Sequence, residues 1–404
     1  MAILAAVSVP QGVAHAGAVP GTSFSGSYSN AAGTRAYLGY VPSSYHAGTP
    51  VPLVVALHGC TQTADGFRQL TQMDSLAASR NFIAVYPEQP SSANYLQCWN
   101  WFNSQDQQRG SGEPALIAGI TQWVEQHYTV DPRRVYVMGL SAGGAMASVM
   151  GATYPDLYAA IGVGSGIEYG ATGIQYVAGF GGLDPTQAGT MAYRAMGAHA
   201  RAMPALIFHG GQDTTVPVIN ATDLVRQWLT TADLADDGRA NDGSIPASPA
   251  QTLNQQSPGG VPYTVAKYVD GHGQELLQYW LVPSMAHAWS GGCACQPYAS
   301  PSGPDETRAM YDFFVNHPMP ASGVSTPPAT TPPVLPSIPG LPSLPGLPTL
   351  TGLPGLPTLP GLTAIPGLPT LPSLSALSGL PALSGLFALP GLSTLLGLLS
   401  LPGL

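Results

Sequence analysis

The first three quarters of the chain alternate between short apolar runs and longer, more polar stretches. Runs of consecutive apolar residues predict buried strands over 51–57, 82–87, 134–138, 158–164 and 204–210. The stretches between and after these runs predict helices over 65–80, 113–127, 144–150, 191–201, 218–230 and 304–316. Strands that alternate with helices favour an α/β fold whose central sheet is mostly parallel and is flanked by helices.

Two further pairs of strands are predicted at the ends of this alternation. Residues 22–28 and 34–40 flank an Asn-Ala-Ala-Gly turn, which predicts an early antiparallel hairpin. Residues 263–269 and 276–282 predict a second pair. Residues 231–260 are rich in Asp, Gly, Ser, Pro and Gln, and they predict a long surface excursion. The sequence leaves open whether this excursion covers a functional site as a lid.

The last part of the chain follows a different pattern. From Leu335 to Leu404 every third residue is Leu or Ile, and the residue that follows it is most often Pro. Polyproline II has three residues per turn, so this period places one aliphatic stripe along an extended rod. We interpret residues 335–404 either as an element that adheres to a hydrophobic surface, such as a polyester granule or the cell envelope, or as a low-complexity extension without a partner.

Charged residues are confined to the part of the chain before this repeat. Every Asp, Glu, Lys and Arg lies at or before Asp312, and the net charge of the chain is −9. A negatively charged chain without a basic patch argues against a nucleic-acid partner. The part that carries the charges has about 300 residues, which is enough for one large folded core.

The N-terminus has the pattern of a processed segment. Residues 2–9 form a short apolar run, and Ala14-His15-Ala16 matches a small-x-small cleavage site, although no basic residue precedes the run. The alternative is an ordinary apolar N-terminus. We predict a signal peptide over 1–16, one folded domain over 17–320 and a linker over 321–334 before the repeat tail. In a secreted protein the four cysteines can form disulfides.

The folded part is organised around the motif Gly139-Leu140-Ser141-Ala142-Gly143. A β-branched and aromatic run precedes this G-x-S-x-G motif, and a small, apolar stretch suited to a closely packed helix follows it. Strand, sharp turn and helix form the context of a nucleophile elbow, in which the two glycines avoid collisions with neighbouring backbone. We therefore predict that Ser141 is a nucleophile. The alternative is a chance match in a glycine-rich chain.

A serine nucleophile requires a base, and the base requires an acid that orients it. Asp213 and His287 each follow a predicted strand, which gives the chain order Ser, acid, His. Because loops at the carboxyl ends of parallel strands converge at one edge of a sheet, we predict Asp213 as the acid and His287 as the base. A helix-capping aspartate and a surface histidine are the alternatives. Asp223 and His272 are weaker candidates for the two roles.

Acyl transfer also needs two hydrogen-bond donors for the oxyanion of the tetrahedral intermediate. The candidates are the N–H of Ala142, next to the nucleophile, and the N–H of Cys60, in the loop after the strand over 51–57. His58 and His209 each precede a glycine at a strand end. We expect these two histidines to hold loops together and assign neither a chemical role.

Several segments together resemble the poly(3-hydroxybutyrate) depolymerase family of esterases. They are Leu57-His58-Gly59-Cys60-Thr61-Gln62, the pair Cys98-Trp99, the nucleophile motif through Gly144, the loop around Asp213, and His287-Ala288-Trp289-Ser290-Gly291-Gly292. The resemblance covers about residues 25–317. It implies an α/β-hydrolase fold and a secreted serine esterase that uses no metal or cofactor. The family commonly carries a linker and a substrate-binding domain after the catalytic domain, whereas this chain carries the repeat tail.

The resemblance also implies a role for each predicted site residue. The nucleophile is Ser141, the base His287 and the orienting acid Asp213, with the oxyanion donors Cys60 and Ala142. It further implies a disulfide between Cys60 and Cys98, a pairing that the sequence alone only permits, since four cysteines allow three connectivities. Cys293 and Cys295 are either free thiols or a local disulfide.

Three tryptophans flank the predicted site loops. Trp99, Trp101 and Trp289 are candidates for an apolar wall against an acyl group or a polymer strand, and core packing is the alternative. The favoured substrate is a short-chain polyhydroxyalkanoate, poly(3-hydroxybutyrate) in particular, or its oligomers. The rival interpretations are a feruloyl or acetyl esterase that acts on carbohydrates, and a surface-binding protein that acts through residues 335–404.

Overall fold

The computed structural model describes residues 21–172, 183–240 and 242–321. The predicted signal peptide, the repeat tail and all but the first residue of the predicted linker lie outside these ranges. Every residue to which the sequence assigned chemistry lies inside them.

One ten-stranded sheet organises the described residues. Its strands are β1 (Gly21–Asn30), β2 (Gly33–Pro42), β3 (Val51–Leu57), β4 (Ile83–Pro87), β5 (Val130–Leu140), β6 (Ala160–Gly164), β7 (Ala205–Gly210), β8 (Gln251–Gln256), β9 (Pro262–Val269) and β10 (Glu275–Val282). Their order in space is β1-β2-β4-β3-β5-β6-β7-β10-β9-β8. The six central strands, β4-β3-β5-β6-β7-β10, run parallel, and antiparallel strands extend both ends. The predicted mostly parallel sheet is confirmed.

Helices cover both faces of this sheet. They are α1 (Ala64–Thr71), α2 (Met73–Arg80), α3 (Gly112–His127), α4 (Ala142–Thr153), α5 (Pro185–Met196), α6 (Ile219–Asp237) and α7 (Glu306–Val315). Side-chain caps begin some of them: Thr63 Oγ1 accepts a hydrogen bond from Gly66 N at α1, and Asp305 accepts one from Arg308 N at α7. Within the described ranges, none of these helices is both long enough and apolar enough to span a bilayer.

Two apolar cores lie on the two faces of the sheet. Along β3, the side chains of Leu53, Val55 and Leu57 belong to one core, whereas those of Val54 and Ala56 belong to the other. Helices α3 to α6 cover the first core, and α1, α2 and α7 cover the second. Each fully buried aliphatic side chain contributes about 2 kcal/mol to the free energy of unfolding, because folding removes its apolar surface from water. Burial on both faces explains why β3 contains no polar residue.

The helix predicted over 65–80 is two helices. Gln72 adopts a left-handed conformation with φ 53°, so the chain ends α1 and immediately begins α2. The Oγ1 of Thr71 donates back to the carbonyl oxygen of Phe67 at the same point. A side chain that hydrogen-bonds to the backbone of the preceding turn competes with the hydrogen bonds that would continue the helix. The spacing of apolar residues, from which the helix was predicted, does not reveal this local competition.

The interpretation of residues 231–260 as a surface excursion is only partly right. Helix α6 continues to Asp237, and β8 adds an edge strand to the sheet by pairing with β9. The β8 side chains are mostly polar and exposed, so the alternating pattern of a half-buried strand is absent from the sequence. Strand β8 is the last strand of the sheet, five places from β5, the strand that precedes the predicted nucleophile Ser141. This part of the excursion is therefore not a lid over the nucleophile.

Two short strands lie outside the main sheet. Trp289–Ser290 forms β11 and Ala299–Ser300 forms β12, and the two pair in parallel. The segment from β11 to β12 follows His287 directly. The pairing therefore fixes the chain on one side of this candidate base.

Candidate active site

Ser141 occupies a sharp turn between β5 and α4. Its backbone dihedrals are φ 58° and ψ −121°, and its N–H donates to the carbonyl oxygen of Gly164 at 2.8 Å. A Cβ at Gly139 would overlap the backbone of Gly143, and a Cβ at Gly143 would overlap the carbonyl oxygen of Leu57. Both glycines of the motif are thus required by close backbone approach. The strained turn projects the Ser141 side chain from the end of the strand.

Three loops bring the predicted chemical residues to one edge of the sheet. Leu140 at the end of β5 pairs in register with Gly164 of β6, and Gly210 at the end of β7 pairs with Val282 of β10. Asp213 follows Gly210 by three residues and His287 follows Val282 by five. All of these loops leave the carboxyl ends of parallel strands.

Asp213 and His287 are in direct contact. The His287 Nδ1–H donates to Asp213 Oδ2 at 2.7 Å. The other carboxylate oxygen, Oδ1, accepts hydrogen bonds from the backbone N–H groups of Thr215 at 2.9 Å and Val216 at 2.8 Å. The carboxylate is therefore held by its own loop and aimed at the imidazole. With Nδ1 as donor, the His287 tautomer leaves Nε2 free to accept a proton.

The Asp213 carboxyl is ionised at neutral pH. Its burial by itself would raise its pKa, but the hydrogen bond and charge of His287 and the Val216 N–H outweigh burial, and the pKa lies below its ordinary value. An ionised Asp213 stabilises the imidazolium that forms when His287 takes a proton. The Ser141 hydroxyl makes no hydrogen bond within the described residues. Catalytic contacts are often loose in a ligand-free site and tighten when substrate binds.

Two backbone N–H groups near Ser141 have no hydrogen-bond acceptor among the described residues. In the loop after β3, Gly59 N donates to Gln62 Oε1 at 2.8 Å and Thr61 N donates to the carbonyl oxygen of Leu96 at 2.6 Å. Between them, the N–H of Cys60 has no acceptor in the described part of the chain, and neither does the N–H of Ala142. A Cβ placed on Gly59 would lie 3.3 Å from Ser141 Cβ, so this loop lies directly against the nucleophile. The arrangement suits an oxyanion hole.

A disulfide and a buried polar cluster hold this loop. Cys60 is bonded to Cys98, the pairing that the family resemblance implied. Gln89 joins the segment of Cys98 to the loop after β3. Its Nε2 donates to the carbonyl oxygen of Cys98 at 2.9 Å, and its N–H donates to His58 Nε2 at 3.0 Å. His58 Nδ1 in turn donates to the carbonyl oxygen of Gly59 at 2.8 Å. His58 therefore supports the loop, as expected from its position before a glycine.

We expect replacement of His58 by glutamine to reduce the acid sensitivity of folding. Burial lowers the pKa of His58 from 6.5 to about 4. Below pH 6.5 the unfolded chain binds a proton that the folded chain does not, so stability falls as the pH falls towards 4. Between pH 7 and pH 5 this linkage removes about 2 kcal/mol from the wild type. Urea unfolding of both proteins at the two pH values measures the difference.

The comparison with the variant is needed because other buried groups act in the opposite direction. Burial raises the pKa of Glu168 to about 7, so this carboxyl stabilises the fold as the pH falls over the same range. Glu168 is present in both proteins, and its contribution cancels. Equal pH dependence in the wild type and in His58→Gln would contradict the prediction.

His209 has a structural role similar to that of His58. It is fully buried, and its Nε2–H donates to the carbonyl oxygen of Val216 at 2.8 Å. Burial lowers its pKa. The bond closes the loop that carries Asp213, so His209 helps to aim the carboxylate.

The segment after His287 is held by the first turn of α7, a support that the sequence did not reveal. Glu306 is fully buried, and its Oε2 accepts a hydrogen bond from Ser290 N at 2.9 Å. Thr307 Oγ1 accepts one from the indole N–H of Trp289, also at 2.9 Å. Burial raises the pKa of Glu306 well above its ordinary value, so burial disfavours the charged form of the carboxyl. A charged residue type is a poor sequence signal for a buried core position.

The three tryptophans are buried in the cores. Trp99 and Trp289 are fully buried and Trp101 is 5% exposed. The ring of Trp99 lies 5.6 Å from that of His58, and Trp289 packs edge-on against Phe67. Core packing, the alternative that the sequence left open, describes all three in this structure. Tyr298, which no motif singled out, has an exposed aromatic ring beside the candidate base.

The weaker candidates lie elsewhere. His272 follows β9 and precedes β10, which places it at the amino end of β10, at the opposite edge of the sheet from Val282. Asp223 lies within α6. Cys293 and Cys295 form a local disulfide. Among the described residues, no group of three or more His, Cys, Asp and Glu side chains is arranged to hold a metal ion.

Comparisons with known proteins agree with this architecture. Residues 35–245 match the family model described as "Esterase PHB depolymerase". A poly(3-hydroxyalkanoate) depolymerase C from Paucimonas lemoignei is 34% identical over 254 residues, which are 61% of this chain and 57% of the relative. An acetylxylan esterase A from Talaromyces purpureogenus is 34% identical over 212 residues, 49% of this chain and 54% of the relative. The chain thus spans slightly more than half the length of these curated relatives.

A solved structure supports the fold. An acetyl xylan esterase from Aspergillus awamori superposes with a TM-score of 0.55 at 23% identity, over 70% of this chain and 94% of that one. The parallel centre of the sheet, the turn at Ser141 and the flanking helices are those of the α/β-hydrolase fold.

Proposed function

Since the chain belongs to the esterase PHB depolymerase family, we propose that it is a secreted serine esterase that hydrolyses short-chain polyhydroxyalkanoate, or soluble oligomers of poly(3-hydroxybutyrate), through an acyl-enzyme. The observation that carries the proposal is the 2.7 Å hydrogen bond from His287 to Asp213, at the sheet edge where Ser141 follows β5. The similarity to a poly(3-hydroxyalkanoate) depolymerase supports the substrate class. The two disulfides support an oxidising compartment.

In the proposed reaction, the Ser141 hydroxyl attacks the ester carbonyl carbon while His287 Nε2 accepts its proton. Asp213 keeps the other imidazole proton on Nδ1 and stabilises the cation. The N–H groups of Cys60 and Ala142 donate to the oxyanion. His287 then protonates the leaving alkoxide oxygen as the ester C–O bond breaks, which leaves the acyl group on Ser141. A water molecule, deprotonated by His287, releases the acid and restores the serine.

A carbohydrate-linked acetyl or feruloyl ester is the second candidate substrate. The similarity to an acetylxylan esterase favours it, at the same identity as the depolymerase but over less of the chain. The same catalytic residues serve both substrates, so only the binding surface separates them. Relative kcat/KM values for acetylated xylan, feruloyl esters and the 3-hydroxybutyrate trimer discriminate between the two.

We also propose that residues 335–404 bind a hydrophobic surface. The supporting argument is the sequence period: an unbroken stripe of Leu and Ile is costly to leave in water, and contact with a polyester or another apolar surface removes that cost. A non-catalytic protein that acts through this tail is the rival interpretation. That interpretation requires that the main property of the protein, binding to a surface, survive Ser141→Ala and disappear when the tail is removed.

A chain that ends at residue 320 is expected to separate surface binding from chemistry. We expect it to hydrolyse the soluble trimer at the wild-type rate but to clear a suspension of poly(3-hydroxybutyrate) at least about tenfold more slowly, because adsorption concentrates an enzyme on a solid. Turbidity and product release measure the two activities. Equal clearing by the full chain and the shortened chain contradicts the role of the tail. If the full chain hydrolyses neither the suspension nor the trimer, the polyester proposal is contradicted.

A further inference from the structure

Tyr298 lies beside the candidate active site, in the segment between β11 and β12. Its carbonyl oxygen accepts a hydrogen bond from Trp289 N at 2.7 Å, and the adjacent Ala299 pairs with Trp289 in the two-stranded ladder. His287 precedes Trp289 by two residues. The backbone of Tyr298 is therefore fixed relative to the candidate base.

The side chain of Tyr298 extends from the candidate base to the oxyanion loop. Its ring centroid is 6.2 Å from that of His287, and the two ring planes are almost perpendicular, at 81°. Its hydroxyl is hydrogen-bonded to Thr61 Oγ1 at 3.2 Å, and Thr61 directly follows Cys60. The side chain therefore bridges the candidate base and the loop that carries Cys60.

Two properties of Tyr298 do not serve folding. Its φ is 62°, a left-handed conformation that strains a bulky non-glycine residue. In addition, the residue is 41% exposed, so much of its apolar ring gains nothing from burial. Backbone strain that coincides with an exposed aromatic ring at a reactive centre is typical of residues that contact a ligand.

We propose that Tyr298 is a specificity-determining residue that packs against the second monomer unit of a 3-hydroxybutyrate oligomer, beyond the scissile ester. This inference rests on the proposed polyester function. The methyl and methylene groups of that unit suit the face or edge of an aromatic ring. Tyr298 offers such a ring, partly exposed, without any burial of charge.

The test compares Tyr298→Ala and Tyr298→Phe with the wild type on two substrates. p-Nitrophenyl acetate has no second unit, whereas the 3-hydroxybutyrate trimer has one. We expect Tyr298→Ala to raise KM for the trimer about tenfold with kcat nearly unchanged, and to leave kcat/KM for p-nitrophenyl acetate within about twofold. Tyr298→Phe retains the ring and is expected to lie close to the wild type on both substrates.

Each outcome has a distinct meaning. Equal losses on both substrates in Tyr298→Ala overturn the inference, because they show that Tyr298 merely supports His287. Unchanged trimer kinetics in Tyr298→Ala overturn it too, and a Phe variant as impaired as the Ala variant overturns the role of the ring. A wild type that cleaves p-nitrophenyl acetate but not the trimer overturns the proposed polyester function instead, and the polyester contact of Tyr298 with it.

Discussion

Replacement of Ser141 by alanine is expected to lower kcat for p-nitrophenyl acetate by on the order of 10⁵-fold. The hydroxyl oxygen is the atom that forms the acyl-enzyme in the proposed reaction, and alanine has no atom to replace it. Residual rate comes from the N–H groups of Cys60 and Ala142 and from the bound geometry alone. The measurement is the initial rate at saturating substrate. A cooperative unfolding transition confirms that the variant is folded.

The matched control is Ser148→Ala. Ser148 lies on α4, the helix that follows Ser141; it is fully buried, and its hydroxyl has no hydrogen-bond partner among the described residues. Removal of an unpaired buried hydroxyl does not disturb the site, so this variant is expected to keep the wild-type kcat. If both serine variants keep their activity, the nucleophile lies elsewhere and the assignment of Ser141 fails.

Replacement of Asp213 by asparagine is expected to lower kcat by on the order of 10⁴-fold with little change in KM. An amide of the same shape can donate to His287 Nδ1, which favours the wrong tautomer and removes the negative charge that stabilises the imidazolium. The measurement is kcat at neutral pH, where the wild-type carboxyl is ionised because its pKa lies below the ordinary value.

Stability must be followed alongside activity in this variant. A carboxyl whose pKa is lowered by folding stabilises the fold above its unfolded pKa, and that contribution disappears as the pH falls. Asp223→Asn, on α6, is the matched control, since the sequence offered Asp223 as the weaker candidate acid. Loss of activity in Asp223→Asn but not in Asp213→Asn would reverse the assignment.

The sequence predicts the scaffold of the site well because that scaffold depends on simple steric and hydrophobic constraints. Val51–Leu57 is apolar throughout since both of its faces are buried, and the glycines around Ser141 are demanded by backbone approach. Asp213 and His287 follow strand ends, so the parallel sheet alone brings their loops to one edge. The roles of these residues stay predictions until the variants are measured.

What the sequence did not show depends either on local backbone geometry or on contacts between distant segments. Gln72 ends a helix within an amphipathic pattern, and Tyr298 lies in a segment that has no regular period. The tryptophans around the site loops are equally suited to a wall or to a core by composition, and only the packing of Trp99 and Trp289 against their neighbours decides. Such contacts join residues far apart in the chain and leave no local signature.

The bond between Cys60 and Cys98 has a consequence for when the protein becomes active. On the proposed assignment, Cys60 supplies both a sulfur to the bond and an N–H to the reaction, so the geometry of that N–H depends on oxidation. A chain still in a reducing cytosol carries Ser141, Asp213 and His287 but lacks the tether that positions one oxyanion donor. For the secreted esterase proposed above, export would then serve as the maturation step, and the enzyme would gain its full activity only outside the cell that makes it.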